Sequence, residues 1–177
     1  MLHKSFFISL LCAMALMLSS CGGGSGSSPV KGETYEVGTF SVLIPEEWGT
    51  TTFFEDGGVS KRTLNVYKGT ESEWKSSKAS YLRIRFYVDG KGVPLFTRSL
   101  YRETEDLQIN IGKYTWTGYS GLSQSSPGNY DSPYILIWTD TGKDKVYIEL
   151  SPARGEKKIS LDDADVKAII TSITPTP

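Results

Sequence analysis

Four groups of neighbouring carboxylates are the residues best suited by type to move protons: Glu46/Glu47, Glu55/Asp56, Glu105/Asp106 and Asp162/Asp163/Asp165. Two carboxyl groups flanking a glycosidic bond can serve as acid and base, or as acid and nucleophile. Acids beside turns and helix starts, however, more often act as caps or solvated surface. Asp162, Asp163 and Asp165 fall in the first turn of an expected helix, whose positive end accounts for them. A carboxylate-dependent hydrolase therefore stands as a third reading, behind two binding readings.

Binding chemistry is suggested by Tyr81, Arg83, Arg85 and Tyr87, which alternate with Leu82, Ile84, Phe86 and Val88. On a strand, alternate residues share a face and repeat roughly every 7 Å. Arginine presents a rigid fork to carboxylate or phosphate, and tyrosine a flat ring with a hydroxyl. Such a stripe suits an anionic polymer, a glycan or an acidic partner surface. The structural alternative is a second sheet face covered through the arginine stems by a helix or loop. Tyr114 and Trp116, near Tyr119, carry the same pair of readings, while Trp48 and Trp138 are expected in the core.

One cysteine has a more specific chemistry. Lys4 supplies a positive charge, and Ser5–Leu18 is almost wholly apolar and shorter than the roughly 20 residues that span a bilayer. Small residues then lead to Cys21. Leu18-Ser19-Ser20-Cys21 resembles the bacterial lipobox, in which the thiol is linked to diacylglycerol and the preceding peptide bond is cut. The resemblance implies an export signal over residues 1–20, acylation (palmitate among the chains) at Cys21, and membrane lipid as a partner. Several acyl chains hold firmly, since each buried methylene contributes roughly 0.8 kcal/mol. Residues 21–32 then read as the lipidated cysteine and a flexible Gly/Ser tether. Gly22 stands where an Asp would signal inner-membrane retention. The expected site is the outer membrane of a Gram-negative cell, or the outer leaflet of a Gram-positive cell membrane.

Removing those 20 residues from 177 leaves 157, enough for one domain with a sizeable core. His3, the single histidine, leaves with the signal, as do all three methionines and Cys12. The body thus has no Ser-His-Asp triad, no imidazole metal site and no intrachain disulfide. No phosphate-binding glycine loop occurs, and a net charge of −1 gives no footprint for nucleic acid. No cofactor is expected.

Residues 33–174 read as one domain of short period-2 runs, with residues 175–177 as a tail. Strands are expected over Thr39–Ile44, Thr50–Phe54, Arg62–Tyr67, Tyr81–Val88, Leu107–Ile111 and Tyr114–Tyr119. Glu71–Ser80 reads as a loop or short helix around Trp74. Pro94 suits a helix start, with Leu95, Phe96 and Leu100 inward. Ser123–Ser132 reads as loop, and Pro133–Thr139 with Lys145–Leu150 as a hairpin. Ser160 is expected to cap a last helix carrying Val166, Ile169, Ile170 and Ile173 on one stripe, with Asp163 in the capping box. The sum is an α+β fold, an antiparallel sheet flanked by helices.

Three segments carry a likeness to a family: Phe40-Ser41-Val42-Leu43-Ile44-Pro45-Glu46-Glu47-Trp48, Gly112-Lys113-Tyr114, and Ile170-Thr171-Ser172-Ile173 after the hairpin. In this order they resemble the PsbP/Mog1-like α/β/α sandwiches, which include bacterial lipoproteins of the DcrB and DUF1795 type. The resemblance implies a non-enzymatic accessory or binding factor, in some members one that assembles or stabilises a membrane complex. It supplies no catalytic motif. The leading expectation is thus an anchored, non-catalytic binding or assembly factor with an envelope protein partner. The rival is a glycan- or peptidoglycan-binding module using the Tyr/Arg face.

Overall fold

The computed structural model describes residues 29–55, 58–92 and 98–176. The export signal, Cys21, Asp56 and the expected helix start at Pro94, Leu95 and Phe96 lie outside the described residues.

Alternation of apolar and polar residues sets most of the architecture. In chain order the elements are β1 (Gly32–Glu36), β2 (Phe40–Pro45), β3 (Trp48–Glu55), β4 (Gly58–Lys68), α1 (Glu71–Lys75) and β5 (Tyr81–Tyr87). There follow β6 (Arg102–Ile111), β7 (Tyr114–Ser126), β8 (Asn129–Asp140), β9 (Lys145–Ser151), α2 (Ala164–Ser172) and β10 (Thr174–Pro175). Seven strands form one antiparallel sheet in the order β3-β4-β5-β9-β8-β7-β6, and β1-β2-β10 form a second, small sheet. The fold is α+β.

The core lies between the large sheet on one side and β2 with α2 on the other. Phe40 and Val42 of β2 and Val166, Ile169 and Ile170 of α2 pack onto the even-numbered residues of β4, β5 and β9, among them Leu64, Ile84 and Ile148. Phe40 stacks on Phe86 at 5.7 Å. Polar ties fix α2 in place: the Trp48 indole donates to Asp165 at 3.0 Å, and Leu43 N–H to Ser172 Oγ at 2.8 Å. On the opposite face, α1 covers one end through Trp74, which stacks on Tyr67 at 5.1 Å and meets Tyr81 edge-on at 5.3 Å.

Several expectations need correction. Val88 leaves the strand in a 3-10 turn and is 43% exposed, because the chain has already turned away from the sheet. Leu100 does not point inward: it is 64% exposed in a second 3-10 turn, Arg98–Leu100. Residues 123–132 are not loop but the polar tips of β7 and β8, paired through Ser123–Ser132 and turning beyond Ser126–Asn129. The helix α2 begins at Ala164 with Asp163 as N-cap; Ser160 donates its N–H and hydroxyl back to the Asp163 carboxylate at 3.0 and 2.9 Å. Trp138 lies half-buried on the second face, outside the main core. The exposed strand β1 had no counterpart in the hydrophobic pattern.

Candidate binding face

The side of the large sheet away from α2 collects the odd-numbered residues of β5 and their cross-strand neighbours. Arg83 lies opposite Asn65 of β4 and Glu149 of β9, and Arg85 opposite Thr63 and Tyr147. Arg83 donates through Nε to Asn65 at 3.0 Å and through Nη1 to Glu149 Oε2 at 3.2 Å. Arg85 Nη1 donates to the other oxygen of the same carboxylate. The three side chains are only 22%, 18% and 11% exposed in the order Arg83, Arg85, Glu149. Two cations thus share one acid in a mostly dry setting, where unshared charge would be costly. Arg83 also lies 4.6 Å from the Phe53 ring.

Around this triad runs an aromatic series. Tyr87, almost fully buried, meets Tyr147 edge-on at 5.7 Å, and Tyr147 stacks with Trp138 at 6.2 Å. Trp138 contacts Tyr119, Tyr119 contacts Tyr101, and Tyr101 stacks on Tyr134 at 4.3 Å. Burial raises the Tyr134 phenol above its ordinary value of 10.0, assisted by its hydrogen bond with Tyr101. Burial likewise raises Tyr119, next to Tyr101, against the opposing pull of Arg98. The Tyr119 hydroxyl is buried with no hydrogen-bond partner among the described residues.

Two hollows open on this face. One, of about 700 Å³, is lined by Arg98, Asp106, Gln108, Thr117, Tyr119 and Trp138. Arg98 is held there by Asp106 at 2.5 Å and Thr104 Oγ1 at 2.9 Å, over the Tyr119 ring. The other, of about 300 Å³, lies at the opposite end beside Tyr81, Tyr101, Tyr134 and Arg154.

Tyr81, Arg83, Arg85 and Tyr87 are therefore brought together, whereas Tyr114 and Trp116 face the core side. The cause is parity: on β7, residues 114 and 116 share the inner face and 117 and 119 the outer one. Trp116 is 2% exposed and donates its indole N–H to the Ile111 carbonyl at 3.3 Å. The carboxylate groups have other occupations. Asp165 accepts from Trp48, Asp162 pairs with Lys167 at 3.1 Å, and Asp106 pairs with Arg98. Glu46 and Glu47 lie exposed at the β2–β3 turn. Among the described residues no group of three His, Cys, Asp or Glu side chains could hold a metal ion. Asn65, Glu149, Tyr101, Tyr134, Trp138 and Arg154 were not anticipated here. Glu149 and Asn65 had a local signal, lying out of phase with Val146, Ile148 and Leu150 and with Leu64 and Val66.

No protein-family model matches the chain, and no curated protein matches it in sequence. Similar solved structures include the crystal structure of a Bacteroides thetaiotaomicron protein, 16% identical with a TM-score of 0.50 over 82% of this chain and 49% of that one. The chain thus spans about half that protein's length. Another is the solution structure of cyanobacterial PsbP (CyanoP) from Synechocystis, 14% identical with a TM-score of 0.43 over 90% of this chain and 99% of that one. Likeness at the Bacteroides level of identity speaks to fold alone.

Proposed function

We propose that this chain is a lipid-anchored, extracytoplasmic binding or assembly factor of the PsbP/Mog1-like lipoprotein kind, with no catalysis of its own. Cys21 anchors it, and the second sheet face meets a protein of the cell envelope. The observation that carries the reading is the hollow at Trp138, where a half-buried indole backed by Tyr147 and Tyr119 is rimmed by Arg98, Asp106 and Gln108. Trp, Tyr and Arg anchors within a polar rim are the composition of protein interfaces. On the same face Glu149 engages both Arg83 and Arg85, which leaves one net positive charge that would favour an acidic partner surface.

The test is crosslinking in intact cells, purification through a C-terminal tag and mass spectrometry, comparing the wild-type chain with Trp138→Ala and Gln108→Arg. One dominant envelope protein, lost in both variants while the fold is retained, is the expected result. An unchanged partner list would remove the hollow as the interface. In the same cells Cys21→Ala should leave the membrane fraction; if it stays there and is still cut after residue 20, the anchor is wrong.

A further inference from the structure

We infer that the smaller groove, beside Tyr81, is a binding site for a carboxylate-bearing sugar ring. It does not rest on the protein-facing hollow at Trp138, which lies at the other end of the face. The groove encloses about 300 Å³, at the lower end of ligand-site volumes and suited to one ring. Its walls supply what a pyranose needs. Tyr81 and Tyr101 are half-buried and offer ring surface with hydroxyl tips, Tyr134 backs Tyr101, and Ser123, Gln124 and Ser132 add hydroxyl and amide groups that both donate and accept.

The charge is what narrows the ligand. Among the described residues Arg154 is the single charged one lining the groove, and no acid lines it. Its guanidinium lies 5.5 Å from the Tyr81 ring. Arg83, Arg85 and Arg98 are each paired with a carboxylate, whereas Arg154 makes no ion pair among the described residues. One unopposed guanidinium fork matches one carboxylate in geometry and charge. A phosphate dianion would call for more cation than this groove contains.

Arg154 is also held in advance of any ligand. Ser80 is fully buried; its Oγ accepts from Arg154 N–H at 3.1 Å and reaches the carbonyls of Pro152 and Arg154 at 3.1 and 3.0 Å. The next residue, Gly155, has φ +70 and presses on Lys78, where an added Cβ would lie 1.8 Å from the carbonyl oxygen. Backbone fixed in this way lowers the ordering cost of binding.

The experiment is saturation-transfer NMR on the full chain in detergent, with glucuronate, glucose, acetate and inorganic phosphate as separate probes. Glucuronate should bind, glucose and acetate each at least about tenfold more weakly, and Arg154→Ala should weaken glucuronate by about tenfold. Arg154 is exposed, so the variant should fold; Arg154→Lys, which keeps the charge but loses the fork, should fall between. Trp138→Ala should leave glucuronate binding unchanged, which separates this site from the protein-facing hollow. The proposal is overturned if glucuronate does not bind, if Arg154→Ala binds it as well as wild type, or if acetate or phosphate binds as tightly.

Discussion

Glu149 holds two arginines on one carboxylate, so its charge matters more than its size. Glu149→Gln keeps the shape but leaves Arg83 and Arg85 facing each other in a setting where at most 22% of either side chain meets water. Breaking a buried ion arrangement from one side costs about 3 kcal/mol, because the remaining charge is stranded. Chemical denaturation should show that loss, and a change below about 0.5 kcal/mol would mean the triad adds nothing to stability. The Tyr/Arg stripe was legible because strand parity is local. Its acidic partner was not, since Arg83 and Glu149 are 66 positions apart and alternation says nothing about which strands adjoin. Parity also explains Trp116: composition placed it with the tyrosines, while its even position on β7 turned it to the core.

For whole elements, legibility followed hydrophobic period. The α2 stripe Val166–Ile169–Ile170 was readable and is buried as expected, with Ile169 at 0% exposure. Ile169→Ala should cost about 3 kcal/mol through lost contacts and a residual cavity against β2. Thermal or denaturant unfolding measures this directly, and a cost under about 1 kcal/mol would mean the helix is only loosely docked. The β7–β8 tips were unreadable for the opposite reason. Residues 123–132 carry serines and no alternating apolar set, so their strand character comes only from backbone pairing and the turn at Gly128, which has φ +81. Those polar tips supply Ser123, Gln124 and Ser132 to the smaller groove, so the part of the fold least visible in the sequence builds much of the candidate site. Gly118 in β7 marks close packing: an added Cβ would lie 1.9 Å from the Leu136 carbonyl oxygen.

Taken as a whole, the molecule buries much of its tyrosine on the second face of the large sheet rather than in the aliphatic core, and this sets an alkaline limit on its stability. Burial raises Tyr67, Tyr119 and Tyr134 above the ordinary value of 10.0; Glu71 adds to the rise at Tyr67, and Tyr101 at the other two. Below pH 10 these phenols are protonated in both folded and unfolded chains, so their contribution does not vary. Above it the unfolded chain releases their protons while the folded one keeps them. The unfolded state then binds fewer protons, and stability falls as pH rises. Each such phenol removes at most about 1.4 kcal/mol per pH unit, and only between its unfolded and its raised folded value. Phenolate absorbance should therefore rise in two phases across the ten tyrosines: exposed rings first, then a step coincident with loss of the sheet signal in circular dichroism. A single smooth titration of every tyrosine with the sheet intact would show that these rings are open to water, and would undo the account of the second face as a packed aromatic layer.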